Sequence, residues 1–232
     1  MNKKIVILTG AGISAESGIA TFRGAGGLWE GHEVQDVATP EAFARNPDLV
    51  QRFYNERRRG IAEKEPNAAH HAIAELQQRY PGQVVLITQN IDDLHERGGS
   101  PEVIHMHGEA LKARCLSCGS IHAWLGDLSR DSSCPACART GQLRPHIVWF
   151  GEVPLFMDDI ISALAGADIF AAVGTSGQVY PAAGFVDMAS RQGARCIEFN
   201  LDPTPSSGLF HETRPGPATK TVADWTRELM AG

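Results

Sequence analysis

No apolar run in these 232 residues approaches the length needed to cross a bilayer, so no segment reads as a membrane anchor. The first residues are not expected to act as a signal peptide either: Lys3 and Lys4 precede only a brief apolar stretch, which Gly10 and Gly12 cut off. Basic residues are too few for a general nucleic-acid binder, with 21 Lys and Arg against 27 Asp and Glu and a formal charge of −6. There is no internal repeat and no low-complexity segment. Cysteines number five, which does not make a disulfide scaffold in a chain of this length. These absences point to a cytoplasmic protein without a membrane or direct nucleic-acid partner. A hydrophobic content of 43% supports a substantial core, as one large domain or as a domain with a smaller module.

The organising stretch is Ile5 to Ile19. It starts as a β-branched apolar run, the pattern of a buried strand, breaks at Gly10 and Gly12, and resumes with small residues that start a helix. Gly10-x-Gly12-x-x-Ala15 fits the turn in which backbone N–H groups approach a pyrophosphate. It also fits an ordinary strand-to-helix turn, because a lone glycine pattern is weak. Thr21 to Trp29 follows, a Gly-rich segment carrying Phe22, Arg23 and Trp29, of the kind that folds over a ligand.

Four of the cysteines form Cys115-x2-Cys118-x15-Cys134-x2-Cys137, the spacing of a four-thiolate zinc site. Gly119 and Pro135 suit its tight turns. Two redox pairs, or unrelated thiols, are the other reading. Four thiolates close the coordination sphere, so the metal is expected to be structural. Cys196, in an apparent strand, reads as a small buried hydrophobe.

Further along, Glu33 to Tyr80 reads mainly as helix, with Thr39-Pro40-Glu41 and Asn46-Pro47-Asp48 as starts. Gln83–Thr88 is a second buried strand that runs into Gln89-Asn90-Ile91-Asp92. A short strand at Val103-Ile104 leads to His105-Met106-His107-Gly108. Asp168–Val173 ends at Gly174-Thr175-Ser176, and Arg195–Phe199 ends at Asn200-Leu201-Asp202. Four strands that each finish in small or hydrogen-bonding residues predict one crevice at the top of a parallel sheet. A strand near Thr219–Val222 and a helix over Asp224–Met230 close the chain, and the Pro-rich run 203–217 reads as an ordered loop.

Taken in order, Gly10 to Ile19 with Phe22-Arg23, Gln89 to Asp92, His107-Gly108, the four cysteines, Phe150-Gly151-Glu152, Gly174-Thr175-Ser176 and Asn200 resemble the sirtuin family of NAD-dependent protein-lysine deacylases. The resemblance implies an α/β fold: a Rossmann-like parallel-sheet domain (1–32, 81–108, 144–232) and a smaller domain made of two insertions. One insertion is helical (33–80) and the other is a zinc ribbon (109–143). It implies NAD against Gly10, Ala11, Gly12, Ala15, Glu16, Thr175 and Ser176, with Gly174, Leu201, Asp202 and Ala218 nearby and Asn200 on the adenosine ribose. The usual dinucleotide acid about twenty residues beyond the first glycines has no convincing counterpart here. Gln89, Asn90, Ile91 and Asp92 would line the nicotinamide pocket with Ala11, Ile19 and Phe22. The other reading of Asp92, before the resemblance is considered, is a helix N-cap.

The implied reaction transfers ADP-ribose from nicotinamide to the acyl oxygen of a modified lysine, and a ribose hydroxyl then attacks the alkylamidate. The products are nicotinamide and 2′-O-acyl-ADP-ribose. His107 is the expected general base, with Asn90 beside it as a second catalytic residue and His105 as the rival histidine. Substrate would be an acylated lysine of another protein, its backbone added as a strand between Val148–Glu152 and Gly177–Tyr180, with Phe150, Gly151 and Val179 against it. Tyr54 and Arg57, at i and i+3, resemble the Tyr-x-x-Arg pair of the class that removes succinyl and malonyl groups, and small Ala38 leaves space there. The other reading is a solvated basic face, since Arg58 and Arg59 continue the run. Mono-ADP-ribosylation of a protein, and a non-enzymatic NAD sensor or zinc adaptor, are the competing functions. A monomer is the default expectation.

Overall fold

A computed structural model describes residues 2–21 and 31–231; Phe22, Arg23 and Trp29 of the expected cofactor site lie outside the described residues. The chain begins with β1 (Lys4–Thr9) and α1 (Ala11–Ala15), then α2 (Val34–Val37), α3 (Pro40–Arg45), α4 (Pro47–Ala62) and α5 (Ala68–Arg79). Next come β2 (Gln83–Thr88), α6 (Leu94–Arg97), β3 (Ile104–His105), β4 (Gly108–Cys115), β5 (Ile121–Ala123) and β6 (Leu143–Ile147). The remainder is α7 (Met157–Ala165), β7 (Ile169–Val173), α8 (Phe185–Arg191), β8 (Arg195–Asn200), β9 (Glu212–Pro215) and α9 (Ala218–Ala231).

Six strands pair in parallel in the order β3-β2-β1-β7-β8-β9. Their apolar runs are continuous because both faces are covered. On one face Val6, Leu8, Ile87 and Phe170 pack with Leu164 of α7 and Phe185 of α8; Cys196 is buried there, as a small hydrophobe should be. On the other, Ile5, Ile7, Leu86 and Phe199 meet Ile73 of α5 and Trp225 of α9. The chain steps from β1 to β2 on one side and returns to β7 on the other. The order therefore reverses between β1 and β7, which opens a crevice at their carboxyl ends.

A second sheet, antiparallel β5-β4-β6, carries α4 across it. Phe53, Tyr54 and Ile61 pack on Ala110, Ile147 and Trp149. The polar residues of α4 fasten the same contact: Gln51 Nε2 donates to Leu143 O, Asn55 Nδ2 to Leu128 O and Arg58 Nε to Ala110 O. The helix starts read from sequence are present, with Thr39 capping α3 and Asn46 capping α4, each followed by proline.

Three expectations need correction. The helical insertion does not run to residue 80: α5 packs on the parallel sheet through Ala69, Ile73 and Leu76, so only 33 to about 62 belongs with the small unit. The zinc ribbon is wider than 109–143, because β4 starts at Gly108 and β6 ends at Ile147 within one sheet. The C-terminal strand near Thr219–Val222 is the first turn of α9, and the last strand, β9, lies inside the Pro-rich run. The β-branched Thr219, Thr221 and Val222 favour a strand locally. Tertiary contact overrides that preference, since the Glu16 carboxylate accepts from Thr219 N at 3.0 Å and Thr219 Oγ1 at 2.8 Å, capping the helix. Among the described residues no helix is long and apolar enough to cross a membrane.

Candidate active site at the sheet switch point

A cleft of about 610 Å³ opens over the carboxyl ends of β1, β2, β7 and β8 and reaches the small unit. Apart from Gly177, every described residue named above for cofactor and substrate lines it, as does His107. The loops that form it are laced by backbone bonds. Gly10 N donates to Val173 O, Gly12 N to Gly174 O, Gln89 N to Thr9 O and Gly174 N to Phe199 O, at 2.8–2.9 Å. A Cβ on Gly12 would stand 2.6 Å from Gly174 Cα. The two glycines therefore serve the close approach of two loops, and their own N–H groups are already used. What they offer a ligand is a floor without side chains.

Beneath the cleft lies a buried polar network. Ser14 Oγ donates to Asp92 Oδ2 at 3.1 Å and accepts from Asn90 Nδ2 at 3.0 Å. The ring of His70 approaches the same hydroxyl with Nε2 at 3.5 Å, while its Nδ1 accepts from Asn67 N and completes the cap of α5. One nitrogen accepts, so the other carries the proton and faces Ser14 as a donor. Burial pushes His70 down to about 4, which keeps that ring neutral. Asp92 Oδ1 accepts from Leu94 N at 3.2 Å, but the N-cap of α6 is Asp93, so Asp92 lines the cleft without being the cap residue. Burial raises the Asp92 carboxyl.

His107 Nδ1 lies 3.0 Å from Gln89 O. A carbonyl only accepts, so Nδ1 carries the proton and Nε2 is left as the basic nitrogen. Burial lowers the His107 pKa, and the bond to Gln89 opposes that. His105 is differently committed: Nε2 meets Glu96 Oε1 at 2.6 Å and Nδ1 faces Asn90 O at 3.3 Å. Burial opposes its charge, but the Glu96 carboxylate prevails and raises it.

Near the small unit, Tyr54 and Arg57 both line the cleft. The indole N–H of Trp149 donates to Tyr54 Oη at 3.0 Å. Burial drives the Tyr54 pKa well above the usual phenol value, so it stays a phenol. Trp149 is pinned by the Arg144 guanidinium 3.3 Å from its ring centroid. Arg144 pairs with both oxygens of Glu152, and Glu152 also takes Arg114 and Trp149 N. Glu152, expected to meet substrate, thus lines the cleft while its carboxylate organises the loop. Sequence reasoning missed Trp149, Ser14 and His70. The Trp149 next to Phe150-Gly151-Glu152 was the available signal; for the other two the signal is spatial.

The four cysteine sulfurs lie within 4.8 Å of one another, with the 115–137 and 118–134 pairs at 3.8 Å. A tetrahedron with Zn–S near 2.3 Å has edges of about 3.8 Å, so the donor set fits one zinc ion. The two knuckles are built alike. Gly119 N returns to Cys115 O and Ala138 N to Cys134 O, with left-handed φ of 74° and 58°.

This is a switch-point nucleotide-binding fold with an appended thiolate metal module. Comparison identifies it further: the Sir2 family profile matches residues 10–181, and the chain belongs to that family. It is 57% identical over 228 residues to the NAD-dependent protein deacylase of Yersinia pseudotuberculosis serotype I (strain IP32953), covering 97% of this chain and 82% of that one. A Sir2 homolog–NAD complex superposes with a TM-score of 0.89 at 37% identity, over 99% of this chain and 90% of that one. A Sir2–p53 peptide–NAD+ complex does so with 0.81 at 31%, over 98% and 92%.

Zinc removal is the direct test of the metal module. A strong chelator, or Cys134→Ser, is expected to lower Tm and abolish the near-UV signal of Trp124 and Trp149, with one zinc per chain measured beforehand. An unchanged Tm after complete metal removal contradicts a structural role.

Proposed function

We propose that the protein removes acyl groups from lysine side chains of other proteins in an NAD-dependent reaction that yields nicotinamide and 2′-O-acyl-ADP-ribose. The observation that carries this reading is the His107 imidazole, fixed with Nε2 as its basic atom, in a cleft with a side-chain-free glycine floor. The 57%-identical protein deacylase and the NAD-bound and peptide-bound Sir2 structures support it. When bound, NAD supplies the ADP-ribose group that receives the acyl group.

The chain's own residues divide the work. Asn90 and Asp92, tied through Ser14, present an amide and a carboxyl to the nicotinamide end. Nε2 of His107 takes the proton of the attacking sugar hydroxyl. The two backbone edges at Val148–Glu152 and Gly177–Tyr180 accept the substrate strand, which gives affinity with little sequence preference. Tyr54 and Arg57 face an acyl chain that ends in a carboxylate, the guanidinium binding it as a fork and the phenol as a donor. Succinyl and malonyl lysine are thus substrates alongside acetyl lysine.

Arg57→Met is expected to lower kcat/KM for a succinyl-lysine peptide by roughly 10–100-fold, the worth of about 1.5–3 kcal/mol for a hydrogen bond to a charged group, and to change the acetyl-lysine value far less. Nicotinamide release from acetyl, malonyl and succinyl peptides measures this, and equal losses contradict the assignment. His107 works as a base when neutral. Its depressed pKa therefore places the rise of kcat/KM with pH below 6.5, with a plateau at neutral pH. His107→Tyr should retain NAD binding and lose deacylation. Mass spectra showing ADP-ribose added to the peptide, in place of acyl lost, would refute the deacylase reading.

A further inference from the structure

Glu198 is an acid buried in the middle of β8, 3% exposed. A carboxylate in such a place is costly unless fully hydrogen-bonded. Among the described residues no Lys, Arg or His pairs with it. Its partners are polar groups that follow it in the chain. Thr204 Oγ1 donates to Oε1 at 2.6 Å, Ser207 Oγ donates to Oε2, and Asn200 Nδ2 donates to Oε1 at 3.2 Å. Glu198 and Asn200 share a face of β8 because side chains alternate along a strand.

The consequence falls on Asn200. Its Nδ2 donates to Thr175 O at 3.0 Å as well as to Glu198. Both of those partners can only accept, so the amide must turn its nitrogen toward them, and both of its N–H groups are used. The group that Asn200 has left for a ligand is the carbonyl oxygen Oδ1, an acceptor suited to a sugar hydroxyl. The same carboxylate also secures the following loop: Ser207 Oγ, which it holds, accepts from Thr204 N at 2.7 Å. That loop in turn sits against the one after β7, where a Cβ on Gly177 would meet Ser206 Oγ at 1.9 Å.

We infer that Glu198 is a positioning residue for the dinucleotide: it locks the Asn200 amide with its oxygen toward the cleft and fixes the 200–207 loop that walls the same end. It touches no ligand itself. This rests on the reading that this end of the cleft takes the adenosine ribose. It also accounts for the missing acid after the first glycines. The acid is present at the other end of the chain and acts through an amide.

The test uses isosteric changes, which keep the fold. Asn200→Asp places a carboxylate against Glu198 and the Thr175 carbonyl, and is expected to weaken ADP-ribose binding at least tenfold by calorimetry. Glu198→Gln alone should weaken it threefold or less, because a glutamine oxygen can still accept from Asn200 while its amide donates to the hydroxyls. Added to Asn200→Asp, the same Glu198→Gln should restore affinity at least threefold, since the introduced amide can donate to the introduced carboxylate. The losses should appear in KM for NAD and not in kcat. A merely structural Glu198 predicts no such reversal of sign. Glu198→Gln costing the same factor in both backgrounds, or Asn200→Asp binding ADP-ribose as the native chain does, overturns the inference. A native chain that binds no ADP-ribose refutes the nucleotide reading beneath it, which keeps the two failures distinct.

Discussion

The cleft depends on one close approach. The loop after β1 and the loop after β7 meet backbone to backbone at the point where the strand order reverses, with Gly12 N on Gly174 O. Any side chain on Gly12 would collide with main-chain atoms, which cannot move aside without breaking the parallel register of Thr9 with Val173. Because these loops touch, the loops after β2 and β8 are drawn in by the same lacing, Gln89 to Thr9 and Gly174 to Phe199. The position of Asn90, of the Gln89 carbonyl that sets His107, and of Asn200 follows from that contact.

A rigid rim would still leave its polar side chains free to rotate. The network below removes that freedom by saturation. Ser14 has one hydrogen and two lone pairs, and it gives one to Asp92 and receives Asn90 and His70. The hydroxyl therefore fixes the orientation of an amide and a carboxyl that face the cleft. The depressed pKa of His70 makes this hold across the neutral range, since a charged His70 would need its second nitrogen to donate where Asn67 N already donates to it. Burial of this network is unfavourable unless every member is satisfied, which ties the site's geometry to the stability of α5 and the sheet.

This division explains what the sequence made legible. Glycines at a strand end, paired cysteines at fixed spacing and helix caps act through local geometry, so Gly10, Gly12, the four thiolates, Thr39 and Asn46 could be read in place. His107 was legible by its position after a short strand, not by its type. Ser14, His70, Trp149 and Glu198 act through partners distant in the chain or through a fold-dependent hydrogen count, and no spacing announces them. The same reason defeats the boundary at residue 80 and the strand at Thr219–Val222. α5 joins the sheet through contacts with β2 and α9, and α9 begins where Glu16, some two hundred positions earlier, supplies its cap.

The three consecutive arginines of α4 show how far apart neighbours can be driven by a helix. Successive residues point about 100° apart, so a run of like charge cannot share one environment. Arg59 reaches solvent and pairs with Asp127. Arg58 is 1% exposed and is held by Ala110 O, Gly126 O and Asn55 Oδ1; burial lowers it to about 10, which leaves it charged. Arg57 turns to the cleft beside Tyr54. A solvated basic face therefore describes only one of the three. The middle arginine clamps the helix to the zinc-bearing sheet, and that clamp fixes the azimuth at which its predecessor enters the site. The metal module thus bears on the shape of the cleft without lining it: β4 carries Ala110 and Cys115 on one strand, so the strand that Arg58 holds is also the one that carries a thiolate of the cluster.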